Sequence, residues 1–513
     1  MNILHQIKET ALRFPDRAVF INETDCLSYK QLEETSNRLA LAIQQVCGSD
    51  KTPIPVYGHK HPFMLICFLA CVKSGRGYCP IDVSVPWART ESIIKNMNAP
   101  ILFACEPLPK QDSLNDFSSR IFQPEDLLKT VPPLPEYEHL LPSPVCGNEI
   151  FYIIFTSGST GSPKGVQITS DCLNHYLDWS VNLGNSKKEK DGKIFLNQAP
   201  FSFDLSVMDL YTCLACGGTL FTLSREVQAD FSKLIPALKR SDASVWVSTP
   251  SFTDLCLTDP SFTKELLPHL DVFLFCGETL GNRTVSKLRK RFPDTIVMNT
   301  YGPTESTVAV TEVKVTPDLN ASCQPLPVGK AKPGTLIEIH DENGTILPEE
   351  TVGEIIILGN TVSAGYYRQP ELTKKAFFTC VREGQIMRGY KTGDKGYLKN
   401  GSLYYCGRID LQIKLHGYRI ELEDIEQNLF KLPSVEHAAA IANVKNGKVK
   451  SIAAFVVCNE SPSDLFAFSQ KIKQELKQYL PEYMIPKKIV FLKCLPMTSN
   501  GKIDRKALEG MLS

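Results

Sequence analysis

Residues 155–166 read FTSGSTGSPKGV. Gly158, Gly161 and Gly165 leave this backbone free to turn sharply and approach a ligand closely. Between and beside them stand Thr156, Ser157, Ser159, Thr160 and Ser162, a dense row of hydroxyls, and Lys164 adds a positive charge. The run just before, residues 151–155 (FYIIF), has the aromatic and β-branched content of a strand. A strand feeding a flexible, donor-rich, cationic loop suits a triphosphate, because N–H groups and hydroxyls can surround its oxygens. The loop is not a Walker A sequence, since Lys164 is followed by Gly165 rather than by Ser or Thr. A flexible Gly/Ser linker is the competing reading, and the strand before the loop and the lysine within it weigh against that. The loop alone says phosphate; it does not say which reaction.

The rest of the composition narrows the classes. At 513 residues the chain is long enough for about three or four domain-sized units. Its 56 basic and 56 acidic residues cancel, so there is no global basic footprint and no nucleic-acid partner is expected. Near the N-terminus Ile3, Leu4, Ile7, Ala11 and Leu12 fall at helical spacing rather than in one apolar block, unlike a signal peptide. No stretch approaches the ~18 apolar residues that a membrane span requires. A cytoplasmic chain with no membrane insertion is therefore expected. The 17 cysteines are scattered singly through apolar runs, which favours reduced thiols. Cys213 and Cys216 make the one CxxC spacing, with no second pair or nearby histidine to complete a zinc site.

Short apolar runs alternate with helical patterns over the first three hundred residues. Strands are expected at 53–57, 194–196, 220–222, 244–247, 272–275 and 296–298, and helices at about 27–43, opened by residues 27–32, and 61–73. That alternation argues for α/β layers with largely parallel sheets. From about 325 to 405 the texture changes to strands separated by turn signals, which predicts a small β-barrel-like unit. The last hundred residues mix helix and strand. The expected fold is thus α/β: a large N-terminal domain (1–409) of two layered α/β subdomains plus the β-rich unit, then a small mobile α+β C-terminal domain (410–513).

Four further segments carry chemistry. Residues 299–305 (NTYGPTE) offer an aromatic ring at Tyr301, a tight Gly302-Pro303 turn, a hydroxyl at Thr304 and a carboxylate at Glu305 that can hold Mg²⁺. An ordinary strand-to-helix turn is the alternative. Asp204 stands among aromatic residues in FSFD; it is either a helix N-cap or the partner of a substrate ammonium. Residues 390–394 (YKTGD) put Asp394 on a turn, where a carboxylate can accept both hydroxyls of a ribose. Residues 496–506 (PMTSNGKIDRK) present Lys502 on a glycine-containing loop near the end of the chain, or form a solvated basic tail.

These segments occur in one order over more than three hundred residues, and that order resembles the adenylate-forming superfamily. Residues 353–355, 365–367, 407–410 and 417–421 match further motifs of it. The likeness is strongest to the branch that loads D-alanine onto a carrier protein. It is carried by residues 56–59 (VYGH), 197–209 (NQAPFSFDLSVMD), 248–252 (STPSF), 273–278 (FLFCGE) and 414–419 (KLHGYR).

The resemblance implies an ATP- and Mg²⁺-dependent ligase that makes an acyl-AMP and then transfers the acyl group to a thiol. Lys502 is implied as the catalytic lysine bridging substrate carboxylate and α-phosphate. Thr156, Ser157, Gly158, Ser159, Thr160 and Lys164 would hold the β- and γ-phosphates. Asn299, Thr300 and Tyr301 would meet the adenine end, with Gly302, Pro303 and Thr304 beside the α-phosphate. Asp394 and Arg408 would hold the ribose, in a site completed by Tyr405, Cys406 and Gly407. Glu305 would bind Mg²⁺. Asp204, Cys276 and Val308 would form the D-alanine pocket, Asp204 taking the ammonium. Asp410 matches the family hinge. The acceptor would be a phosphopantetheine thiol on a separate D-alanyl carrier protein, serving lipoteichoic acid. An adenylating ligase for another small amino or carboxylic acid, with carrier or CoA as acceptor, is the rival enzyme reading. A silent nucleotide-binding scaffold or a kinase-like ATPase are rivals of other classes.

Overall fold

A computed structural model describes residues 2–109, 114, 120–131, 141–157, 163–184, 192–409, 411–445, 448–458, 464–497 and 503–512. The chain forms two compact units. One comprises Met1–Asp82, Met97–Ile154 and Gly165–Gly407; the other comprises Val83–Asn96, Phe155–Lys164 and Arg408–Ser513.

The first unit is organised by two large mixed sheets. In the nine-stranded sheet, Ile296–Tyr301, Val272–Phe275, Val245–Ser248, Ile194–Asn197, Thr219–Thr222 and Ala18–Ile21 run parallel in that spatial order, and antiparallel strands finish both edges. The central strands Val245–Ser248 and Val272–Phe275 are mostly apolar and buried along their whole length, the pattern of a sheet covered on both faces. The seven-stranded sheet has a parallel core that includes Tyr78–Ile81, Ile54–Tyr57 and Leu102–Ala104. Helix Pro62–Lys73 (PFMLICFLACVK) is apolar on every side and correspondingly buried, and it takes Cys67 and Cys71 into the core with it. Helix Tyr29–Cys47 starts where a capping box allows: Ser28 accepts from the Gln31 N–H, and the Gln31 side chain accepts from the Ser28 N–H.

Two expectations need correction. The barrel-like unit is an open antiparallel sheet of five strands, in the order Thr335–His340, Gly353–Gly359, Gln385–Lys399, Phe377–Arg382, with Ser402–Arg408 also pairing on Gln385–Lys399. Closure requires the edge strands to pair, and no such pairing joins Thr335–His340 to Phe377–Arg382 among the described residues. The second correction concerns residues 390–394, which are not a turn but the middle of the 15-residue strand Gln385–Lys399. The ladder slips there, between Glu354 and Ile356 of the neighbouring strand. Gly393 takes a φ of 67°, its N–H donates to Glu354 Oε1 (2.9 Å), and Thr392 Oγ1 donates to the Ile355 carbonyl (2.7 Å). Asp394 is thereby re-aimed by a β-bulge rather than a turn.

In the second unit, Val435–Lys445, Lys448–Cys458 and Lys488–Phe491 form a three-stranded sheet, and helices Leu422–Leu429 and Leu465–Leu476 share its apolar core. Arg505 anchors the last helix, Arg505–Gly510, by pairing with Glu426 (2.8 Å) and donating to the Ala440 carbonyl (2.9 Å). Arg89 pairs with the buried carboxylate of Asp424 at 3.0 Å.

Candidate active site

Three of the parallel strands end in loops that carry the candidate residues. Ile194–Asn197 leads to Asp204, Val272–Phe275 is followed at once by Cys276, and Ile296–Tyr301 runs into the 3₁₀ turn Thr304–Ser306. In open α/β sheets the carboxyl ends of the strands are where ligands bind.

Asp204 precedes helix Leu205–Ala215, yet its side chain caps nothing. Its own φ and ψ, −62° and −22°, are already helical, which is the wrong geometry for a cap. Oδ2 instead accepts a 2.6 Å hydrogen bond from Thr304 Oγ1, a partner 100 residues away. Both residues are buried. Of the two readings of Asp204, the structure therefore removes the helix cap. The surroundings have low polarity. Burial, and then the Asp204 charge, hold the Tyr152 phenol well above its ordinary pKa. Tyr176 is raised the same way, by burial first and then by Cys276, Asp209 and Asp204, and its buried hydroxyl has no partner among the described residues.

Cys276 and Val308 meet, with the thiol donating towards the Val308 carbonyl at 3.7 Å. Val308 is held there by a folded-back loop. Thr307 and Val308 both sit in the left-handed region, at φ 61° and 68°, which is rare for β-branched residues and marks a conformation enforced by its neighbours. Thr307 Oγ1 is tied to the Thr361 carbonyl at 2.8 Å, and the Val310 N–H returns to the Tyr301 carbonyl at 2.7 Å. Gly302 is where the loop closes on itself; a Cβ there would lie 2.5 Å from Ala309 Cα.

Tyr301 Oη donates to Asp394 Oδ2 at 2.5 Å, and the Tyr301 ring lies 5.9 Å from the ring of Tyr405. The candidate adenine and ribose residues are thus joined through one hydrogen bond and one ring contact. Asn299 is buried with its amide donating to the Pro327 carbonyl (2.9 Å), and Thr300 Oγ1 donates to the Phe275 carbonyl (2.8 Å). Pro303 is the N-cap residue of the 3₁₀ turn. Cys406 and Gly407 continue the strand of Tyr405.

Glu305 is fully buried in that turn and accepts from Tyr366 Oη at 2.9 Å. Beside it, the buried Ser306 hydroxyl has no partner among the described residues. Mg²⁺ takes hard oxygens, usually one or two carboxylates completed by phosphate oxygens and water. One buried carboxylate fits that pattern. No cluster of three or more His, Cys, Asp or Glu that could hold a metal ion occurs among the described residues. Tyr366 was not expected as a site residue, although it lies in the motif at 365–367; the signal for it is its hydroxyl, which a purely packing role does not require.

In the second unit Thr156 Oγ1 donates to the Lys164 carbonyl at 3.5 Å. Ser157 Oγ donates to the Arg419 carbonyl (2.7 Å) and accepts from the Glu421 N–H (3.3 Å). Lys164 Nζ lies 3.4 Å from Glu421 Oε1. Arg408 begins the C-terminal stretch of this unit. Gly158, Ser159, Thr160, Asp410 and Lys502 lie outside the described residues. The two sides of the Lys502 loop are joined: Met497 and Ile503 form an antiparallel bridge, and the Asp504 N–H donates to the Pro496 carbonyl at 2.8 Å. No helix among the described residues is long and apolar enough to cross a membrane.

Comparison with known proteins agrees with this architecture. The family described as AMP-binding enzyme matches residues 7–367, and its C-terminal domain family matches residues 424–502. A D-alanine--D-alanyl carrier protein ligase of Bacillus thuringiensis (strain Al Hakam) is 45% identical over 516 residues, covering 99% of each chain. A Bacillus anthracis protein of the same name has the same identity and coverage. Among solved structures, the peptide synthetase protein PA1221, containing adenylation and PCP domains, is 26% identical with a TM-score of 0.81, over 99% of this chain and 84% of its own. The o-succinylbenzoate CoA synthetase of Bacillus subtilis shares the fold at 20% identity, with a TM-score of 0.83 and 98% of both chains covered. With matches that take in both its large and its small domain, the chain belongs to the AMP-binding enzyme family, the AMP-forming, adenylate-forming ligases.

Proposed function

We propose that this enzyme activates D-alanine as D-alanyl-AMP, releasing pyrophosphate, and then passes the D-alanyl group to the phosphopantetheine thiol of a separate D-alanyl carrier protein. The observation that carries this reading is the buried Asp204 carboxylate, which caps no helix and is hydrogen-bonded to Thr304 of the 299–305 segment. A carboxylate buried in low polarity is costly, and a substrate ammonium offsets that cost. Cys276 and Val308, both buried and in contact, would supply small side chains against a substrate methyl group. The name shared by the 45% identical relatives supports D-alanine and a carrier protein as the two substrates besides ATP.

In the first half-reaction the amino-acid carboxylate attacks the α-phosphorus in line, and negative charge builds on the α-phosphate oxygens. Asp204 orients the amino acid by its ammonium. Asn299, Thr300 and Tyr301 seat the adenine, with Gly302, Pro303 and Thr304 beside the α-phosphate. Asp394, with Arg408, holds the ribose, in a site completed by Tyr405, Cys406 and Gly407. Lys502 supplies the compact cation that bridges carboxylate and phosphate. The loop from Thr156 through Gly158, Ser159 and Thr160 to Lys164 holds the outer phosphates. Glu305 would hold Mg²⁺, which when bound offsets the charge of the departing pyrophosphate. In the second half-reaction the thiol sulfur attacks the acyl carbon and the bond to AMP breaks. The two steps need different groups at one place, so a C-terminal domain (410–513) that turns about Asp410 as a unit separates them. The enzyme acts in the cytoplasm, and the charged carrier serves lipoteichoic acid.

ATP–pyrophosphate exchange measured with D-alanine, L-alanine and glycine in parallel tests this reading. D-Alanine is expected to support the fastest exchange. Faster exchange with another acid would replace the substrate, and formation of ADP would replace the reaction.

A further inference from the structure

Lys60 belongs to none of the residues given a role above. It follows the strand Ile54–Tyr57 of the seven-stranded sheet and takes a φ of 49°. Its side chain is buried, and Nζ donates to three backbone carbonyls: Asn197 (3.2 Å), Gln198 (2.8 Å) and Leu223 (2.7 Å). Asn197 ends one strand of the nine-stranded sheet, and Leu223 follows the end of its neighbour Thr219–Thr222. A carbonyl oxygen has two lone pairs, and one ammonium takes the second acceptor position of all three. Lys60 forms no ion pair among the described residues. Burial pulls its pKa down to about 7, against the nearby carboxylates of Asp209, Asp82 and Glu23. A buried cation paired only with carbonyls is an expensive way to join two sheets, and its position suggests what it achieves.

The carbonyls it grips begin the connection to Asp204. Asn197 Nδ2 reinforces the same point, donating to the Ala199 carbonyl (3.1 Å) and to Asp209 Oδ1 (2.9 Å) on the helix that follows Asp204. The strand end, the start of the loop and the next helix are therefore joined around Lys60 and Asn197.

We propose that Lys60 is a positioning residue for the amino-acid site: by gathering the carbonyls of Asn197, Gln198 and Leu223 it sets where the 198–204 loop starts, and so where the Asp204 carboxylate meets the substrate ammonium. This rests on the reading of Asp204 given above. A purely structural tie would lower stability and leave the two Michaelis constants in step. A positioning role moves the constant for D-alanine alone.

Lys60→Met is the test. Each carbonyl keeps a second donor, Leu223 N on Asn197 (3.1 Å) and Gln228 Nε2 on Gln198 (2.9 Å) and Leu223 (2.8 Å), so the fold is expected to survive. Should the variant not melt cooperatively, Lys60→Gln is measured by the same criteria. Hydrogen–deuterium exchange in peptides covering 198–204 is expected to quicken about ten-fold, with none in the strand Val272–Phe275. KM for D-alanine is expected to rise about ten-fold while KM for ATP stays within about two-fold. Unchanged protection of 198–204, or equal movement of both constants, overturns the proposal. Asp204→Asn is run beside it. If that variant leaves KM for D-alanine unmoved, the reading of Asp204 fails, and deuterium exchange alone then decides whether Lys60 sets the loop.

Discussion

Asp204 is buried, and its Oδ2 accepts a 2.6 Å hydrogen bond from Thr304 Oγ1. FSFD placed a carboxylate among aromatic rings and left two roles open. Its partner, Thr304, is 100 positions away, so no local pattern could choose between them. The same holds for Tyr301 and Asp394, joined across 93 positions. Residue types and their order were legible because each motif is short; which motif touches which was not. Asp204→Asn removes the charge that, in the proposed function, receives the ammonium. Losing one partner of a buried charge pair costs about 2–5 kcal/mol, so KM for D-alanine in pyrophosphate exchange is expected to rise at least about thirty-fold, with KM for ATP little changed. Cys276→Ala is a finer probe. The side chain touches the Val308 carbonyl, and one methyl contact is worth about 1–3 kcal/mol, so the preference for D- over L-alanine is expected to narrow by roughly ten-fold or more. An unchanged ratio of kcat/KM for the two enantiomers would remove Cys276 from the selectivity account.

At the scale of elements, the alternation of apolar runs with helical patterns placed Ile54–Tyr57, Ile194–Asn197, Thr219–Thr222, Val245–Ser248 and Val272–Phe275 to within a residue, because buried strands and amphipathic helices differ in period, but it missed the parallel strands Ala18–Ile21, Tyr78–Ile81 and Leu102–Ala104. Two further features escaped. The β-bulge at Asp394 is fixed by Glu354 and Ile355, on a neighbouring strand some 40 residues earlier, and YKTGD alone reads as a turn. The open edge of the five-stranded sheet depends on which strands pair, not on their composition. The loop after Ile296–Tyr301 makes the sharpest prediction at this scale. Gly302→Ala forces a Cβ to within 2.5 Å of Ala309 Cα, whereas the same change at Gly510 meets nothing within 4 Å. Overpacking of this kind costs about 1–3 kcal/mol, so thermal melting is expected to drop for Gly302→Ala and to stay put for Gly510→Ala. Equal melting temperatures for the two variants would contradict the closed loop.

Across the whole molecule, the family and the two-step chemistry were readable from motif order, while the placement of the Lys502 loop was not. Lys502 itself lies outside the described residues; its flanks are joined by the Met497–Ile503 bridge, and the following helix is anchored by Arg505. On the proposed division of labour, Lys502→Ala is expected to lower adenylation by about 10²–10³-fold, the scale of losing one group that stabilises transition-state charge, and to spare transfer from supplied D-alanyl-AMP. Equal loss of both steps would contradict two half-reactions served by different groups. The central claim is that the amino-acid carboxylate attacks the α-phosphorus and that AMP departs with one of its oxygens. D-Alanine labelled with ¹⁸O in both carboxylate oxygens, incubated with ATP and the carrier protein, tests it by mass spectrometry of the nucleotide product. The account predicts AMP carrying one ¹⁸O and an unlabelled pyrophosphate; unlabelled AMP, or ADP in its place, would contradict it.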